Sequence, residues 1–226
     1  MITLDEIMLQ ARQRSDMEHS NLVSDSELTA YVNASLAELH DLLISSYNED
    51  YIMESTQFTT TDGLELSYDL PSDFYKLRGV DVQIGSDWMT VKRFNFNRRN
   101  EDSSGYAWNI LGSPYLEYRL VGSQIRFNRA PQTGTTFRVW YHPVVTKLVS
   151  GTDSYNDING FIEYVVVDCA IKMLQKEESD VAVLMAQKEA LRQRIVAMAQ
   201  NRDANEPESI TDIYAEGDGR YWLTRS

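Results

Sequence analysis

Residues 158–178 have the sequence INGFIEYVVVDCAIKMLQKEE, and residues 180–205 have the sequence DVAVLMAQKEALRQRIVAMAQNRDAN. The first stretch is dense in apolar residues, which predicts a largely buried helix. The second predicts a helix whose inner face is formed by Val181, Leu184, Met185, Ala186, Leu191, Ile195 and Met198. Because only Glu178 and Ser179 separate the two stretches, with Ser179 as the expected N-cap, we expect an antiparallel helical hairpin.

Two further helices are predicted near the N-terminus. Thr3 and Glu6 have the spacing of a capping box, which begins a short helix ending at about residue 18. Ser24 and Glu27 repeat that spacing. An apolar stripe then predicts an amphipathic helix over residues 26–46, formed by Leu28, Val32, Leu36, Leu39 and Leu43.

The middle of the chain changes to a β pattern. Strands are expected at residues 55–61, 76–84, 88–96 and 135–142, with a hairpin-type turn at 62–63. The clearest hairpin joins residues 116–121 to 124–127 through Gly122 and Ser123. In the last strand Phe137, Val139 and Tyr141 share one side. We expect an exposed loop at residues 97–115 and coil at 149–157.

Together these elements predict an α+β protein. The N- and C-terminal helices form a helical bundle, and an antiparallel β domain is inserted between them. The expected divisions are bundle helices at residues 1–50, the β domain at 51–148, the helical hairpin at 149–206 and an extended C-terminal docking tail at 207–226.

The composition favours a globular protein made in the cytoplasm. Of the 226 residues 42% are hydrophobic, and the single cysteine, Cys169, excludes an internal disulfide framework. No apolar run approaches the roughly 18–20 residues that cross a bilayer, so we expect no membrane contact. Asp5 and Glu6 do not fit the start of a signal peptide.

The net charge of −13 is unevenly distributed. Residues 1–70 carry 14 acidic and 2 basic side chains, residues 71–147 carry 6 and 11, and residues 148–226 carry 14 and 8. Only the basic middle segment could attract a polyanion.

The residues indicate no enzyme, no metal and no cofactor. His19, His40 and His142 lack ligand spacing, and Cys169 on an apolar helix is expected to be buried and inert. The oxygen-rich segment around Asp153 and Asp157 misses the spacing of a calcium loop, so turns and caps are the better interpretation. A polymer hydrolase using Asp73 and Asp81 is a weak third hypothesis.

The tail has anchors but no core of its own. Burying a large apolar side chain is worth roughly 1.5–3 kcal/mol, so a short tail with several such residues is expected to dock on another surface. The expected partner-binding residues, on a partner protein or on another subunit, are Ile213, Tyr214, Tyr221, Trp222 and Leu223.

Arginines in the middle segment give two hypotheses. They form contacts between subunits or, as the alternative function, they bind nucleic acid beside exposed aromatics. The residues concerned are Arg98, Arg99, Arg119, Arg126 and Arg138. Inter-subunit pairing is favoured because the chain as a whole is acidic.

Residues 26–39 (SELTAYVNASLAEL), residues 68–81 (YDLPSDFYKLRGVD) and the helical pair at 158–205 resemble the head–tail adaptor proteins of tailed bacteriophages. These proteins are also called connector, head-completion or tail-tubular proteins. The resemblance implies a homo-oligomeric ring, commonly of twelve copies, that binds the portal protein at one vertex of the virion and is assembled in the host cytoplasm. It also implies that the ring extends the DNA channel without sequence-specific binding and is the platform for tail proteins.

Overall fold

The computed structural model describes residues 1–46, 52–61, 63–95, 97, 116–157 and 159–200, with side chains up to Met198. In this part of the chain the helices are α1 (Leu4–Arg14), α2 (Asp25–Ser46), α3 (Ile162–Lys176) and α4 (Ala182–Gln200). The strands are β1 (Ile2–Thr3), β2 (Glu54–Thr59), β3 (Ser67–Asp69), β4 (Phe74–Ile84), β5 (Asp87–Thr90), β6 (Lys92–Arg93), β7 (Glu117–Val121), β8 (Gln124–Phe127), β9 (Thr136–Pro143) and β10 (Ser154–Tyr155). The predicted α+β class is confirmed.

The N-terminal helices begin where their capping residues predict. The amide of Glu6 donates to the Thr3 hydroxyl, and the Glu6 carboxylate accepts from the Thr3 amide at 2.9 Å, which completes a capping box. The Ser24 hydroxyl accepts from the amide of Glu27 at the start of α2. Here the Glu27 carboxylate accepts instead from Tyr31 and from Lys176 on α3.

The helices share one apolar core. The predicted stripe of α2 is buried throughout, and it packs with Leu4, Ile7 and Ala11 of α1. Helix α3 lies against both and is buried along most of its length, including Val165 and Met173. Each helix therefore buries its apolar side against elements distant in sequence.

Helix α4 differs from its prediction. Of the expected inner face only Ile195 is fully buried, whereas Met185 is 53% and Met198 49% exposed, and Ala186 is exposed. The prediction for these three residues was wrong because α4 contacts α2 and α3 along a narrow line. The N-cap prediction also misplaced the helix start: Ser179 donates to the carboxylate of Glu177, and Asp180 accepts the amide of Ala182.

The β strands form two four-stranded sheets that pack face to face. One sheet has the order β2-β9-β4-β5, and the other has the order β3-β8-β7-β6. The prediction of an antiparallel domain was wrong for β6 and β7, which pair in parallel because a long segment, and not a hairpin, connects them. Their inner faces meet at Phe127 and Phe137, whose ring centroids lie 4.4 Å apart. The predicted side of β9 formed by Phe137, Val139 and Tyr141 is buried in this second core.

The hairpin from β7 to β8 is confirmed, but two other strand predictions were wrong. Strands β2 and β3, on either side of residues 62–63, lie in different sheets, so the turn expected there does not join paired strands. The single strand expected at residues 88–96 is divided at Val91 into β5 and β6, again in different sheets. Phe96 and residues 98–115 of the expected loop lie outside the described residues. The expected coil at 149–157 includes β10, which pairs with β1.

Helix α2 connects the helices to the β sheets. The Asn33 side chain donates to the carbonyl of Leu148 and accepts from its amide, each at 2.8 Å. Nearby, His40 Nε2 lies 2.9 Å from the carbonyl of Pro143, and Tyr75 donates to Asp41. These contacts fix the chain as it leaves β9 and returns to helix.

Gly122 provides a test of the β7–β8 turn, because its φ is +61°. A side chain in this conformation costs about 1–2 kcal/mol. We expect Gly122→Ala to lower the free energy of unfolding by about that amount, measured by denaturant titration. Gly79→Ala is the control, because Gly79 lies in β4 with open space at its Cβ and no positive φ; it should change stability by less than about 0.5 kcal/mol. Equal effects would contradict the turn assignment.

Candidate functional site

A buried carboxylate connects three helices of the described structure. Asp168 of α3 has a side chain that is 7% exposed, and its two oxygens have different partners. One oxygen accepts from Lys188 of α4 at 2.8 Å. The other accepts from Ser35 of α2 at 2.5 Å and from Lys172 at 2.6 Å. Lys188 also reaches Glu38 of α2. This cluster, Asp168 with Ser35, Lys172, Lys188 and Glu38, is the polar network of the helices.

The charges of the polar network stabilise one another. Burial alone raises the pKa of Asp168, but hydrogen bonds from Lys172, Lys188 and Ser35 together hold it below the ordinary value. Burial lowers the pKa of Lys188, and its bonds to Asp168 and Glu38 outweigh that effect and raise it. Both groups are therefore ionised at neutral pH. A fully paired set of this kind fixes helix positions and leaves no group poised for catalysis.

Cys169 lies beside this network. Its side chain is fully buried, and burial raises its pKa to about 12. The Ser35 hydroxyl is 3.7 Å from the sulfur. A thiol with this pKa carries almost no thiolate at neutral pH, which agrees with the expected inert role.

The candidate arginines lie on two different sheets. Arg138 of β9 has its guanidinium 4.0 Å from the ring centroid of Trp88 and 5.4 Å from that of Trp140, on the outer face of its sheet. Arg119 and Arg126 are directly opposite each other across β7 and β8. Their neighbours Leu120 and Phe127 point into the core shared by the sheets, so these two arginines lie on the other outer face. The structure therefore does not bring the three together into one binding groove. Arg98 and Arg99 lie outside the described residues.

The two carboxylates of the hydrolase hypothesis have structural partners. Asp73 accepts from the hydroxyl of Tyr141, and burial followed by this hydrogen bond raises the pKa of Tyr141 to about 12. Asp81 accepts from the indole of Trp140 at 2.6 Å and from Thr90 at 3.1 Å. Each carboxylate thus holds its own part of the sandwich.

The three histidines have different surroundings. His19 is exposed, and His40 is buried against the carbonyl of Pro143. His142 is fully buried, and its Nδ1 lies 2.7 Å from the carbonyl of Ile52. Its Nε2 has no hydrogen-bond partner among the described residues. Within those same residues no cluster of three or more His, Cys, Asp or Glu side chains is placed to hold a metal ion.

The oxygen-rich segment before α3 makes turns and caps. The Asp153 carboxylate accepts from the amides of Val149 and Ser150, and these bonds lower its pKa. Asp157 accepts from the amide of Ile162 at the start of α3. This is the arrangement expected when aspartate stabilises backbone rather than calcium.

A cavity of about 440 Å³ lies where the helices meet the sheets. We call it the junction pocket. Its apolar lining includes Ile52, Pro143, Val145, Leu148 and Tyr155, and its polar lining includes His40, Glu54, Thr146, Ser154 and Asn156. The sequence analysis missed this pocket because its walls come from four separate segments.

The sequence analysis also missed the polar network. One signal was present: Asp168 interrupts the apolar run VVVDCA and lies four residues before Lys172, the spacing of a helical ion pair. The five expected anchors of the C-terminal tail, Ile213, Tyr214, Tyr221, Trp222 and Leu223, lie outside the described residues.

The fold and these surfaces define a structural α+β protein built from a helical core and a β sandwich. No helix within the described ranges is both long and apolar enough to cross a membrane. The chain matches the family described as SU10 adaptor protein over residues 2–211, nearly its whole length, and it therefore belongs to that bacteriophage head–tail adaptor family. No curated protein matches the chain.

Replacing Asp168 tests the polar network. Asp168→Ala leaves Lys172 and Lys188 without their shared partner, and we expect a loss of about 2–4 kcal/mol of unfolding free energy, measured by denaturant titration. Glu189→Ala, which removes a surface ion pair with Arg192, is the matched control and should have little effect. A small effect for both variants would show that the network adds no stability.

The same network predicts a pH dependence. Because the folded-state pKa of Asp168 is below its ordinary value, its stabilising effect is present at neutral pH and is lost as the pH falls through that folded-state pKa. We expect the stability difference between the wild-type chain and Asp168→Asn to shrink as the pH falls below the ordinary aspartate pKa of about 4. A difference that grows on acidification would reverse the assigned sign.

Proposed function

We propose that this chain is a structural virion protein, a head-to-tail adaptor that forms an oligomeric ring beneath the portal. The observation that carries the proposal is the family match over residues 2–211, which includes all four helices and both sheets. The ring, of twelve copies in this proposal, would extend the DNA channel and bind tail or tail-tube proteins on its opposite side.

The two hydrophobic cores support separate roles for the helices and for the β domain. The helical core contains residues from both ends of the described chain, whereas the sandwich core uses residues 58–141. We infer that the helices at residues 1–50 and 149–206 form the bundle that builds the ring. The β domain at residues 51–148 would be inserted in it, and residues 207–226 would be the docking tail.

The surface of α4 offers area for subunit contact. Val183 is 78% exposed, and Met185 and Met198 are about half exposed on the same helix. Burying a large apolar side chain against another protein is worth roughly 1.5–3 kcal/mol. In our proposal that protein is a neighbouring copy, with Arg119, Arg126 and Arg138 of the β domain pairing with acidic side chains of the ring.

The charge of the chain fits a channel through which DNA moves. A net charge of −13 opposes tight binding to phosphates, so DNA slides past such a wall without adhering. Sequence-specific recognition plays no part in the proposed role.

Light scattering of the purified chain, alone and mixed with the portal protein of the same phage, tests the proposal. We expect a large complex of fixed stoichiometry in at least one of the two samples, because ring subunits bury surface only when assembled. A chain that remains monomeric and does not bind the portal protein would contradict the adaptor role. Such a result would favour the alternative, and oligonucleotide binding by the wild-type chain and by an Arg119→Glu/Arg126→Glu/Arg138→Glu variant would then be compared.

Deleting residues 207–226 tests the docking tail. The described helices end before this segment, so we expect unchanged helical content by circular dichroism together with weaker portal binding or ring closure. Leu9→Ala, which alters an exposed residue of α1, is the control and should assemble normally. Loss of helical structure on deletion would instead place the tail in the subunit core.

A further inference from the structure

The junction pocket has the shape and chemistry of a site for an aromatic peptide. Its volume of about 440 Å³ lies within the range of roughly 300–1,000 Å³ typical of binding pockets. Its lining combines apolar side chains, including Ile52, Val145 and Leu148, with polar ones, including Ser154 and Asn156. Such a lining suits a side chain that is apolar with one polar end, as tyrosine and tryptophan are.

Some apolar side chains in the lining segments, or next to them in sequence, are exposed. Val144, which lines the junction pocket, is 47% exposed. Met53 and Val149, which adjoin lining residues in sequence, are also exposed. Within the described chain these side chains therefore leave apolar area that a further segment would cover.

The chain beyond α4 starts close to this pocket. Lys188 contacts Asp168, and six residues later Arg194 donates to the carbonyl of Asn159 and lies over the ring of Phe161, so α4 runs antiparallel to α3. The last turns of α4 thus lie beside the start of α3. Asn156, which lines the pocket, is only three residues before Asn159.

The end of the chain has side chains that match the pocket. Residues 219–226 include Tyr221, Trp222 and Leu223 in succession, flanked by Arg220 and Arg225, with no acidic residue. Among the lining residues Glu54 is the one with a carboxylate, and it is exposed. Its charge is opposite to the charges of Arg220 and Arg225.

The length of the intervening segment favours docking within one chain. Residues 201–220 span up to about 65–70 Å when extended, far more than a neighbouring pocket requires. A tethered segment of this length has an effective concentration on the order of millimolar at its own subunit. The tail of another copy, at micromolar concentration, is present at the pocket at a far lower concentration.

We propose that residues 221–223 occupy the junction pocket of their own chain in the free subunit, with Trp222 as the anchor side chain. The meaning of this contact rests on the proposed function: the tail that anchors the adaptor is covered until a partner competes for it. Premature association through Tyr221, Trp222 and Leu223 is thereby suppressed.

Disulfide trapping in the full-length chain tests the contact. Thr146, an exposed lining residue, and Leu223 are replaced in a Thr146→Cys/Leu223→Cys variant. The control is Val183→Cys/Leu223→Cys, because Val183 is exposed on α4 and is not among the residues that line the pocket. The native Cys169 is buried and does not compete.

We expect a disulfide within one chain in the pocket variant. It should form at least about ten times faster than in the control, because docking raises the effective concentration of the thiol at position 223 near position 146 above the value that the tether alone gives. Gel mobility and peptide mass analysis identify the bond, and light scattering reports whether one chain or two are joined. Adding Trp222→Ala to the pocket variant should reduce the rate to the control level.

Three results would overturn the proposal. A disulfide between two chains would assign the tail to a neighbouring copy, and a rate equal to the control would remove the tail from the pocket. An unchanged rate with Trp222→Ala would remove that side chain as the anchor. The portal binding of the wild-type chain is measured separately, so a negative trapping result would reject the contact with the pocket without rejecting the adaptor role.

Discussion

The buried carboxylate of Asp168 determines how the helices are arranged. Its oxygens accept from α2, α3 and α4, through Ser35, Lys172 and Lys188. Apolar packing alone would hold α4 weakly, since Ile195 is its single fully buried side chain among those described. Hydrogen bonds have strict directions, so the network also fixes the rotation of α4 about its axis. The exposed side of that helix is therefore presented in one orientation.

The structure joins two cores that are stabilised differently. In the sandwich, contacts between aromatic rings dominate, and Phe58, Tyr68, Phe127 and Phe137 form a continuous chain of ring contacts between the sheets. In the helices, aliphatic packing is combined with ion pairs. Asn33 connects the helices to the chain that leaves the sandwich. Its side-chain amide both donates to and accepts from the backbone of Leu148, as a paired strand would. The two cores are therefore held together at α2 by hydrogen bonds and not by one continuous apolar interior.

Local sequence signals predicted the elements whose partners are close in the chain. The capping box at Thr3 and Glu6 and the hairpin through Gly122 depend on contacts within a few residues, and both are present. The pairing of β2 with β9 could not be predicted in this way, because Glu54 and its partner Tyr141 are far apart in the sequence and no local pattern relates them. The prediction that residues 62–63 join paired strands failed for this reason. Likewise, an apolar residue on α4 does not reveal whether a neighbour covers it, which is why Met185 and Met198 were misplaced.

The long distances between contacting residues also determine when the protein can fold during its synthesis. Asn33 meets Leu148 across 115 positions of the chain, and Ser35 meets Asp168 across 133. When the ribosome has made α1 and α2, the helix that covers their apolar stripe does not yet exist. The first 46 residues must therefore stay unburied while the whole sandwich is translated. Nascent chains of this protein depend on rapid completion, or on a chaperone that shields α2 until α3 emerges.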